Sequence, residues 1–349
     1  MTRSSQPPST AQSITVAGVA IAPGQRQRVE VPVAKLPTQT PMSLPVTVVN
    51  GKQAGPCLWL SAALHGDEIN GVEIIRQVLG SVSPKTLAGT LIAVPVVNIF
   101  GFIEQSRYLP DRRDLNRSFP GSPRGSLAAR LAHLLLKEVV AHCSHGIDLH
   151  TAAIHRHNLP QIRANLEDEE THRCAKAFGA PLMIHAATRD GSLRQAAAKR
   201  GCSVLLYEGG EALRFNEDAI QAGVEGIKGV MTYLNMIAYS PAATSKPTLG
   251  DRTQGQHAEG QHAEFPYCNI PLQVESTRWI RASRGGLFHL DVEIGQQVAK
   301  KQRLGTIRDT FGDKSVNLTA PQAGLVIGAT RNPLVNQGDA VIHLAMLEA

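Results

Sequence analysis

Between residues 57 and 238, short apolar runs alternate with segments of helical spacing, and this alternation constrains the fold more than any other feature. The apolar runs are CLWLSAAL, LIAVPVVN, GIDLH, PLMIH and SVLLYE. Between them, apolar residues recur three or four positions apart, as in Ile69, Val72 and Ile75, in Leu127, Leu131 and Leu134, and less regularly over 217–237. Strands that alternate with helices predict an α/β fold with a mostly parallel or mixed central sheet flanked by helices.

The flanking segments follow other patterns. Residues 14–50 alternate apolar and polar residues, so we predict N-terminal strands within an α/β domain over 14–239. Residues 240–266 repeat GQHAE and contain few large apolar residues, which predicts a flexible linker or loop. Short β-like runs with glycine turns over 267–349 predict a small all-β barrel or sandwich domain. The polar residues 1–13 are expected to be disordered.

Composition argues against several classes of protein. Apolar residues make up 42% of the chain and charged residues 18%, as in a packed globular protein. The net charge is +6, but basic residues are scattered and aromatics make up only 4%, so we expect no nucleic-acid partner. No apolar run approaches the length of about 18 residues that a membrane span needs. The five cysteines are widely spaced and the N-terminus has no apolar signal region, so we expect reduced thiols in a cytoplasmic protein.

A histidine and two acids stand where an apolar strand gives way to a helix, in LSAALHGDEINGVEII (residues 60–75). His65 and Glu68 are three residues apart and can converge on one cation, and His150 at the end of GIDLH can add a third ligand from a strand end. Two imidazoles and a carboxylate suit catalytic zinc, which keeps one position for water. Asp148 leaves the same face of its strand as His150 and can support that ring.

Each of these residues also has a simpler interpretation. A glutamate in the first turn of a helix is stabilised by the helix dipole, and a histidine at a strand end can be an ordinary core residue. The combination of His65, Glu68 and His150 is what favours a metal site.

Two further stretches carry chemistry. SRYLPDRRDLNRSFPG (residues 106–121) holds four arginines and Asn116, which predicts an anion-binding loop, with a solvated basic loop as the alternative. SVLLYEGGE runs an apolar strand into Glu208 and two glycines, where a carboxylate has room for substrate and can act as a general base. Glu211 is the competing candidate, and we expect it to lie beyond the strand.

The chain contains, in this order, the motifs HGDE, SRY, DLNR and DLH and a strand-ending glutamate. With this set it resembles the aspartoacylase/succinylglutamate desuccinylase family, which has the zinc carboxypeptidase-like fold with an appended β domain. The resemblance covers residues 50–240 and extends to the C-terminal β region. It implies a role for each of seven residues: one zinc ion bound by His65, Glu68 and His150, a general base and acid at Glu208, a carbonyl-polarising Arg107, and a substrate carboxylate held by Asn116 and Arg117.

The resemblance implies a zinc-dependent amidohydrolase that removes an acetyl- or succinyl-type group from a small N-acyl amino acid. A metallocarboxypeptidase that acts on short peptides would use the same residues. A non-enzymatic zinc or carrier module is the other alternative, but structural zinc usually has four protein ligands and no fourth ligand is evident. The sequence leaves open whether the chain forms a homo-oligomer.

Two features bear on specificity. Members of the family often have Asn where this chain has Asp67, a position that is not a ligand. The segment HTAAIHRHNLP (residues 150–160) contains His155 and His157, either of which can reach a substrate, but we expect this segment to be a mobile loop.

Overall fold

A computed structural model describes residues 11–35, 38–239 and 271–347. The predicted linker at 240–266 therefore lies outside the described residues, as does most of the predicted disordered segment at 1–13.

The secondary structure follows the predicted alternation. The first part of the chain forms the strands β1 (Ile14–Val16), β2 (Val19–Ile21), β3 (Gln25–Lys35), β4 (Pro41–Asn50), β5 (Gln53–Ala62), β6 (Ala88–Val94), β7 (His145–Ala152), β8 (Arg156–Ala164), β9 (Leu182–His185) and β10 (Ser203–Glu211). The helices are α1 (Asn70–Ser81), α2 (Ile99–Ile103), α3 (Leu127–Glu138), α4 (Glu169–Phe178), α5 (Leu193–Ala198) and α6 (Glu217–Tyr233), with short 3₁₀ turns at Leu115–Arg117 and Val140–His142. The C-terminal part forms β11 (Leu272–Val274), β12 (Thr277–Arg281), β13 (Gly286–Leu290), β14 (Gln297–Val298), β15 (Arg303–Arg308), β16 (Ser315–Thr319), β17 (Gly324–Thr330), β18 (Leu334–Val335) and β19 (Ala340–Met346).

The main sheet is mixed. Within the described residues its path runs β12-β19-β17-β8-β10-β7-β5-β6-β4-β3, with β9, β11 and β14 attached to it. Its centre is parallel, because β7 pairs in parallel with β5 on one side and β10 on the other. Strand β8 then runs antiparallel to β10. Helices cover both faces of this sheet and form two apolar layers with it, so the predicted α/β class is confirmed.

The helices are placed by local sequence and by apolar burial. Helix α3 begins where Ser126 accepts a hydrogen bond from Ala129 N, and α4 begins where Asp168 does the same for Thr171 N. Helix α4 ends at Gly179, whose φ of 71° is the left-handed conformation that glycine adopts without strain. In the described part of the chain, none of the helices combines the length and the hydropathy of a membrane span.

The C-terminal region is all β, as predicted, but it continues the main sheet. Strand β17 pairs with β8, with Gly328 opposite Asn158, and β11 pairs in parallel with β9. A four-stranded sheet in the order β16-β15-β13-β18 packs on the other side of an apolar cluster that includes Phe288 and Ile342. The sheet pairing brings C-terminal residues to the edge of the α/β layer, where the predicted site lies.

Candidate active site

The three predicted metal ligands lie together at the carboxyl edge of the parallel strands. His65 and Glu68 occupy the connection between β5 and α1, and His150 lies near the end of β7. Their donor atoms all lie within 4.8 Å of one another. The three side chains are buried, with no more than 4% of each residue exposed. This part of the chain therefore holds a group of residues that can bind a metal ion.

Glu68 lies between the two imidazoles. Its Oε1 is 2.7 Å from His65 Nδ1, and its Oε2 is 2.7 Å from His150 Nδ1. Burial alone would raise the pKa of Glu68, but His65 and His150 outweigh it and lower this pKa well below its usual range. Burial likewise opposes charge on the rings, yet the carboxylates around them raise the pKa of both histidines. The carboxylates around the two rings therefore favour a positive charge beside Glu68.

An aspartate holds the remaining ring nitrogen of each histidine. Asp148 Oδ2 lies 2.8 Å from His150 Nε2, and Asp114 Oδ1 lies 3.2 Å from His65 Nε2. Ser61 Oγ donates to the other oxygen of Asp148 at 2.6 Å. When Nε2–H donates to a carboxylate, Nδ1 keeps its lone pair for another partner, which is the usual arrangement of metal-binding histidines. Asp148 makes the contact expected of it.

Sequence reasoning missed Asp114, although it opens the DLNR motif. Its Oδ2 accepts a hydrogen bond from an Arg107 terminal nitrogen at 3.0 Å, while Oδ1 faces His65. Burial would raise the pKa of Asp114, but His65 and Arg107 lower it well below its usual range. Asp114 therefore links the histidine to the arginine that is predicted to polarise the substrate carbonyl.

The glycine of HGDE is required by close packing. A Cβ added at Gly66 would lie 1.9 Å from the carbonyl carbon of Gly101 in α2, which no side chain can accommodate. Asp67 beside it is buried, its backbone oxygen accepts from Leu213 N, and its Oδ1 has no hydrogen-bond partner among the described residues. Burial and the neighbouring Glu68 raise the pKa of Asp67.

Glu208 is the register partner of His150 in the parallel pair of β10 and β7. Its Oε2 accepts a hydrogen bond from Asn158 Nδ2 at 2.8 Å and lies 3.6 Å from Arg163 Nε. The expectation that Glu211 lies beyond the strand was wrong, because β10 continues to Glu211 through an irregular register after Glu208. Glu208 contributes to the cavity lining and Glu211 does not.

The arginine-rich loop is divided between the cavity and the surface. Arg107, Asn116 and Arg117 line the cavity. Arg112 and Arg113 are exposed and do not line it, so the loop supplies two of the four predicted arginines. Asn116 is buried, and its Oδ1 accepts from Leu193 N at 2.9 Å, which joins this loop to the start of α5.

The cavity has a volume of about 430 Å³ and a strongly cationic lining. Such a volume is typical of small-molecule sites, which measure about 300–1,000 Å³. Among the described residues, its lining includes the carboxylates Glu68 and Glu208 and six arginines: Arg107, Arg117, Arg156, Arg163, Arg189 and Arg194. Burial, followed by Arg163, lowers the pKa of Arg194 to about 10, and one of its terminal nitrogens has no hydrogen-bond partner in the described structure.

One wall of the cavity comes from the C-terminal β region. Trp279 of β12 lines the cavity and stacks on His343 of β19, with ring centroids 4.4 Å apart. The Arg156 guanidinium lies 4.9 Å from the centroid of the Trp279 ring. Burial, with Arg163 and Arg156 nearby, lowers the pKa of His343 to about 3, so this ring is neutral.

The segment 150–160 is mostly strand, since β7 ends at Ala152 and β8 begins at Arg156, so the prediction of a loop here was wrong. Strand β8 begins at Arg156, and Arg156 and Asn158 line the cavity. His157 lies between them and borders a different cavity, and exposed His155 occupies the preceding turn. Neither histidine lines the candidate site, because alternate residues of a strand face opposite sides.

A model of the succinylglutamate desuccinylase/aspartoacylase catalytic domain matches residues 54–234. The chain belongs to this family. The resemblance inferred from HGDE, DLNR, DLH and the strand-ending glutamate is therefore confirmed.

Known relatives extend over most of the chain. The N-α-acetyl-L-2,4-diaminobutyric acid deacetylase of Halomonas elongata is 25% identical over 313 residues, which cover 86% of this chain and 85% of that protein. The crystal structure of a succinylglutamate desuccinylase/aspartoacylase from Rhodobacter sphaeroides is 26% identical, with a TM-score of 0.76 over 91% of this chain and 94% of that one. The product-bound ectoine utilization protein EutE (DoeB) from Ruegeria pomeroyi has the same fold, with a TM-score of 0.75, 24% identity and coverage of 93% of this chain and 95% of that one.

These similarities include the C-terminal β region as well as the α/β layer, since they cover nine tenths of the chain. The family and the Halomonas relative together indicate an N-acyl amino acid deacylase, which is a hydrolase.

Proposed function

We propose that the chain is a zinc-dependent hydrolase that removes an acyl group from an N-acyl amino acid carrying more than one negative charge. The observation that carries this proposal is the convergence, in one cavity, of a buried His₂Glu group, a carboxylate on the adjacent strand and six arginines. Amide hydrolysis needs an activated water, a proton acceptor and a positively charged group beside the developing oxyanion.

His65, Glu68 and His150 would hold one zinc ion. The residues fit this role, because two nitrogens and one carboxylate are a donor set of catalytic zinc and because Asp114 and Asp148 hold the opposite ring nitrogens. When bound, zinc supplies Lewis acidity that lowers the pKa of water toward about 7 and polarises carbonyl oxygens.

Glu208 is the proposed general base and acid. Asn158 donates to Oε2 of Glu208, which leaves Oε1 to accept a proton from water and to return it to the departing amine. The register pairing of Glu208 with His150 supports this role, because it keeps the carboxylate on the strand next to the metal ligands.

Arg107 is proposed to stabilise the negative charge that develops on the scissile carbonyl oxygen. Its guanidinium is held by Asp114 at 3.0 Å and lies 3.4 Å from Glu68. A positive group fixed in this way before the reaction needs no rearrangement during it. Asn116 and Arg117 are proposed to hold a substrate carboxylate, where an arginine fork and an amide give directional hydrogen bonds.

The charge of the cavity supports a substrate with several anionic groups. Six arginines face two carboxylates, and Arg194 is buried with an unpaired nitrogen. Buried positive charges are costly unless an anion pairs with them. The diaminobutyric acid in the name of the Halomonas relative has a second amine, and a positive side chain of that kind would be repelled here.

The test is amine release from N-acetyl, N-succinyl and N-formyl derivatives of aspartate, glutamate and 2,4-diaminobutyrate, with and without a chelator. We expect chelator-sensitive release from an acidic derivative and little from the diaminobutyrate derivatives. Glu208→Gln should lower kcat by about 10²–10⁴-fold. Glu211→Gln is the matched control on the same strand and should leave kcat unchanged. Normal turnover by Glu208→Gln, or cleavage of dipeptides alone, would overturn the proposal, and the latter would favour a metallocarboxypeptidase.

A further inference from the structure

A second group of metal-binding side chains lies away from the cavity. His145 begins β7, and Glu170 and Cys174 lie one turn apart on the same face of α4. Their donor atoms also lie within 4.8 Å of one another. His150 lies five positions after His145 along β7, about 16 Å of strand. The cluster is therefore distinct from the candidate active site, and none of its members lines that cavity.

The spacing of the donor atoms is close to that of a zinc site. His145 Nε2 lies 3.1 Å from Glu170 Oε1, and Cys174 Sγ lies 3.8 Å from the same oxygen. Bond lengths of about 2.0–2.3 Å in a tetrahedron put neighbouring donor atoms about 3.3–3.6 Å apart. Two of the three separations therefore differ from the ideal by only a few tenths of an ångström.

Neighbouring hydroxyl groups orient two of the three side chains. Ser144 Oγ lies 2.8 Å from His145 Nδ1, so a proton on Nδ1 leaves the Nε2 lone pair facing Glu170 and Cys174. Tyr233 Oη of α6 donates to Glu170 Oε2 at 3.0 Å, which leaves Oε1 facing the other two ligands. Outer hydrogen bonds of this kind are typical of metal sites.

Charge and access also favour a cation. Glu170 contacts the Cys174 sulfur, and Asp168 and Glu169 add two further carboxylates at the start of α4, so acidic side chains adjoin the group. The nearby cation Arg173 pairs with exposed Glu169. The Glu170 side chain is 39% exposed, which opens the group to solvent, whereas Cys174 lies against the core.

We propose that His145, Glu170 and Cys174 form a second metal site that binds a thiophilic divalent cation such as Zn²⁺. Binding replaces the Cys174 thiol proton, which passes to solvent, and the imidazole and carboxylate bind through Nε2 and Oε1. Nitrogen, oxygen and thiolate sulfur together suit Zn²⁺ better than the hard cations Mg²⁺ or Ca²⁺. The ion would tie α4 to the start of β7, the strand that carries Asp148 and His150 at its other end.

The experiment is a titration of the metal-free full chain with Co²⁺. The candidate active site has no sulfur ligand, so a thiolate-to-cobalt charge-transfer band in the near ultraviolet reports only a cysteine-containing site. We expect this band in the wild type, saturating at about one equivalent beyond any taken up by the first site. Cys174→Ala should abolish it, and His145→Gln should weaken the cobalt affinity of this site by at least about tenfold. Cys202→Ala, which removes another buried cysteine, should leave it unchanged.

Three outcomes would overturn the proposal: no charge-transfer band in the wild type, a band that survives in Cys174→Ala, or a band lost in Cys57→Ala. The last would assign it to Cys57 and Cys143, whose sulfurs lie 2.7 Å apart. If Cys174→Ala fails to fold, Cys174→Ser replaces it, and Zn²⁺ should raise the Tm of Glu170→Gln less than that of the wild type. An equal rise in both would likewise contradict the site. These readouts do not depend on catalysis.

Discussion

Replacing Asp148 by asparagine should weaken zinc binding at the candidate active site about 10- to 100-fold. Asp148 is fully buried and uses both oxygens, one toward Ser61 and one toward His150 Nε2. Asparagine has nearly the same shape. Its amide oxygen can still accept from His150 and its amide nitrogen can donate to the Ser61 hydroxyl oxygen, so the substitution removes the negative charge and keeps the hydrogen-bond geometry.

The magnitude follows from that loss of charge. The Asp148 carboxylate makes the His150 ring more basic, and partners of this kind contribute about 1.4–2.7 kcal/mol to metal binding. The assay is competition for Zn²⁺ with a chromophoric chelator, performed in the Cys174→Ala background so that one site is read. Deacylase kcat/KM at subsaturating zinc should fall in proportion.

Ser61→Ala is the matched control. It removes only the donor to Oδ1 of Asp148, keeps the carboxylate on His150, and should change zinc affinity by less than about tenfold. A folded Asp148→Asn variant whose zinc affinity stays within about twofold of wild type would refute the role of Asp148.

Three further predictions concern packing, pH and the cavity wall. Gly146→Ala should destabilise the fold by about 1–3 kcal/mol or more, because its Cβ would lie 1.9 Å from the buried Trp59 ring. The control is Gly80→Ala, whose Cβ meets nothing within 4 Å, so this substitution should be neutral or slightly stabilising. Urea unfolding measures both. The His343 pKa of about 3 lies below the unfolded value of about 6.5, so the unfolded state takes up a proton between them and stability is lost as pH falls through this window. Replacing His343 by Gln should reduce the slope of unfolding free energy between about pH 4 and 6 by up to about 1.4 kcal/mol per pH unit, and an unchanged slope would contradict the buried neutral ring. Trp279→Ala should raise KM more than it lowers kcat, since it removes a cavity wall and leaves the metal ligands intact; an unchanged KM would remove Trp279 from the substrate site.

Local patterns were sufficient to predict much of the fold. Apolar runs and helical spacing predicted β5, β6, β7, β9 and β10 and the helices α1, α3 and α6, because burial on a sheet or on one helix face imposes a period on the residues themselves. The strand-to-helix seam at HGDE and the strand end at DLH were informative for the same reason. Parallel strands bring their carboxyl ends to one edge, so His65, Glu68 and His150 could be expected to meet.

The rest of the site depends on pairings between distant residues. In β8, the step from Asn158 to Gln161 spans three residues while the partner step from Gly210 to Glu208 spans two, which is a bulge. The bulge lets Arg163 line the same cavity as Asn158 although their parities differ. Trp279 reaches the cavity because the C-terminal strands continue the main sheet beside β8, a contact with no local signature.

We propose that His65, Glu68 and His150 hold the metal on which deacylation depends. The most direct test is a Zn²⁺ titration of the metal-free Cys174→Ala variant, with amine release from the preferred acidic N-acyl amino acid as the readout. We predict that activity is absent without metal, rises linearly and saturates at about one equivalent per chain, and that His150→Ala neither binds this equivalent nor gains activity. Full activity in the metal-free protein, or in His150→Ala at saturating zinc, would contradict this role of the three residues.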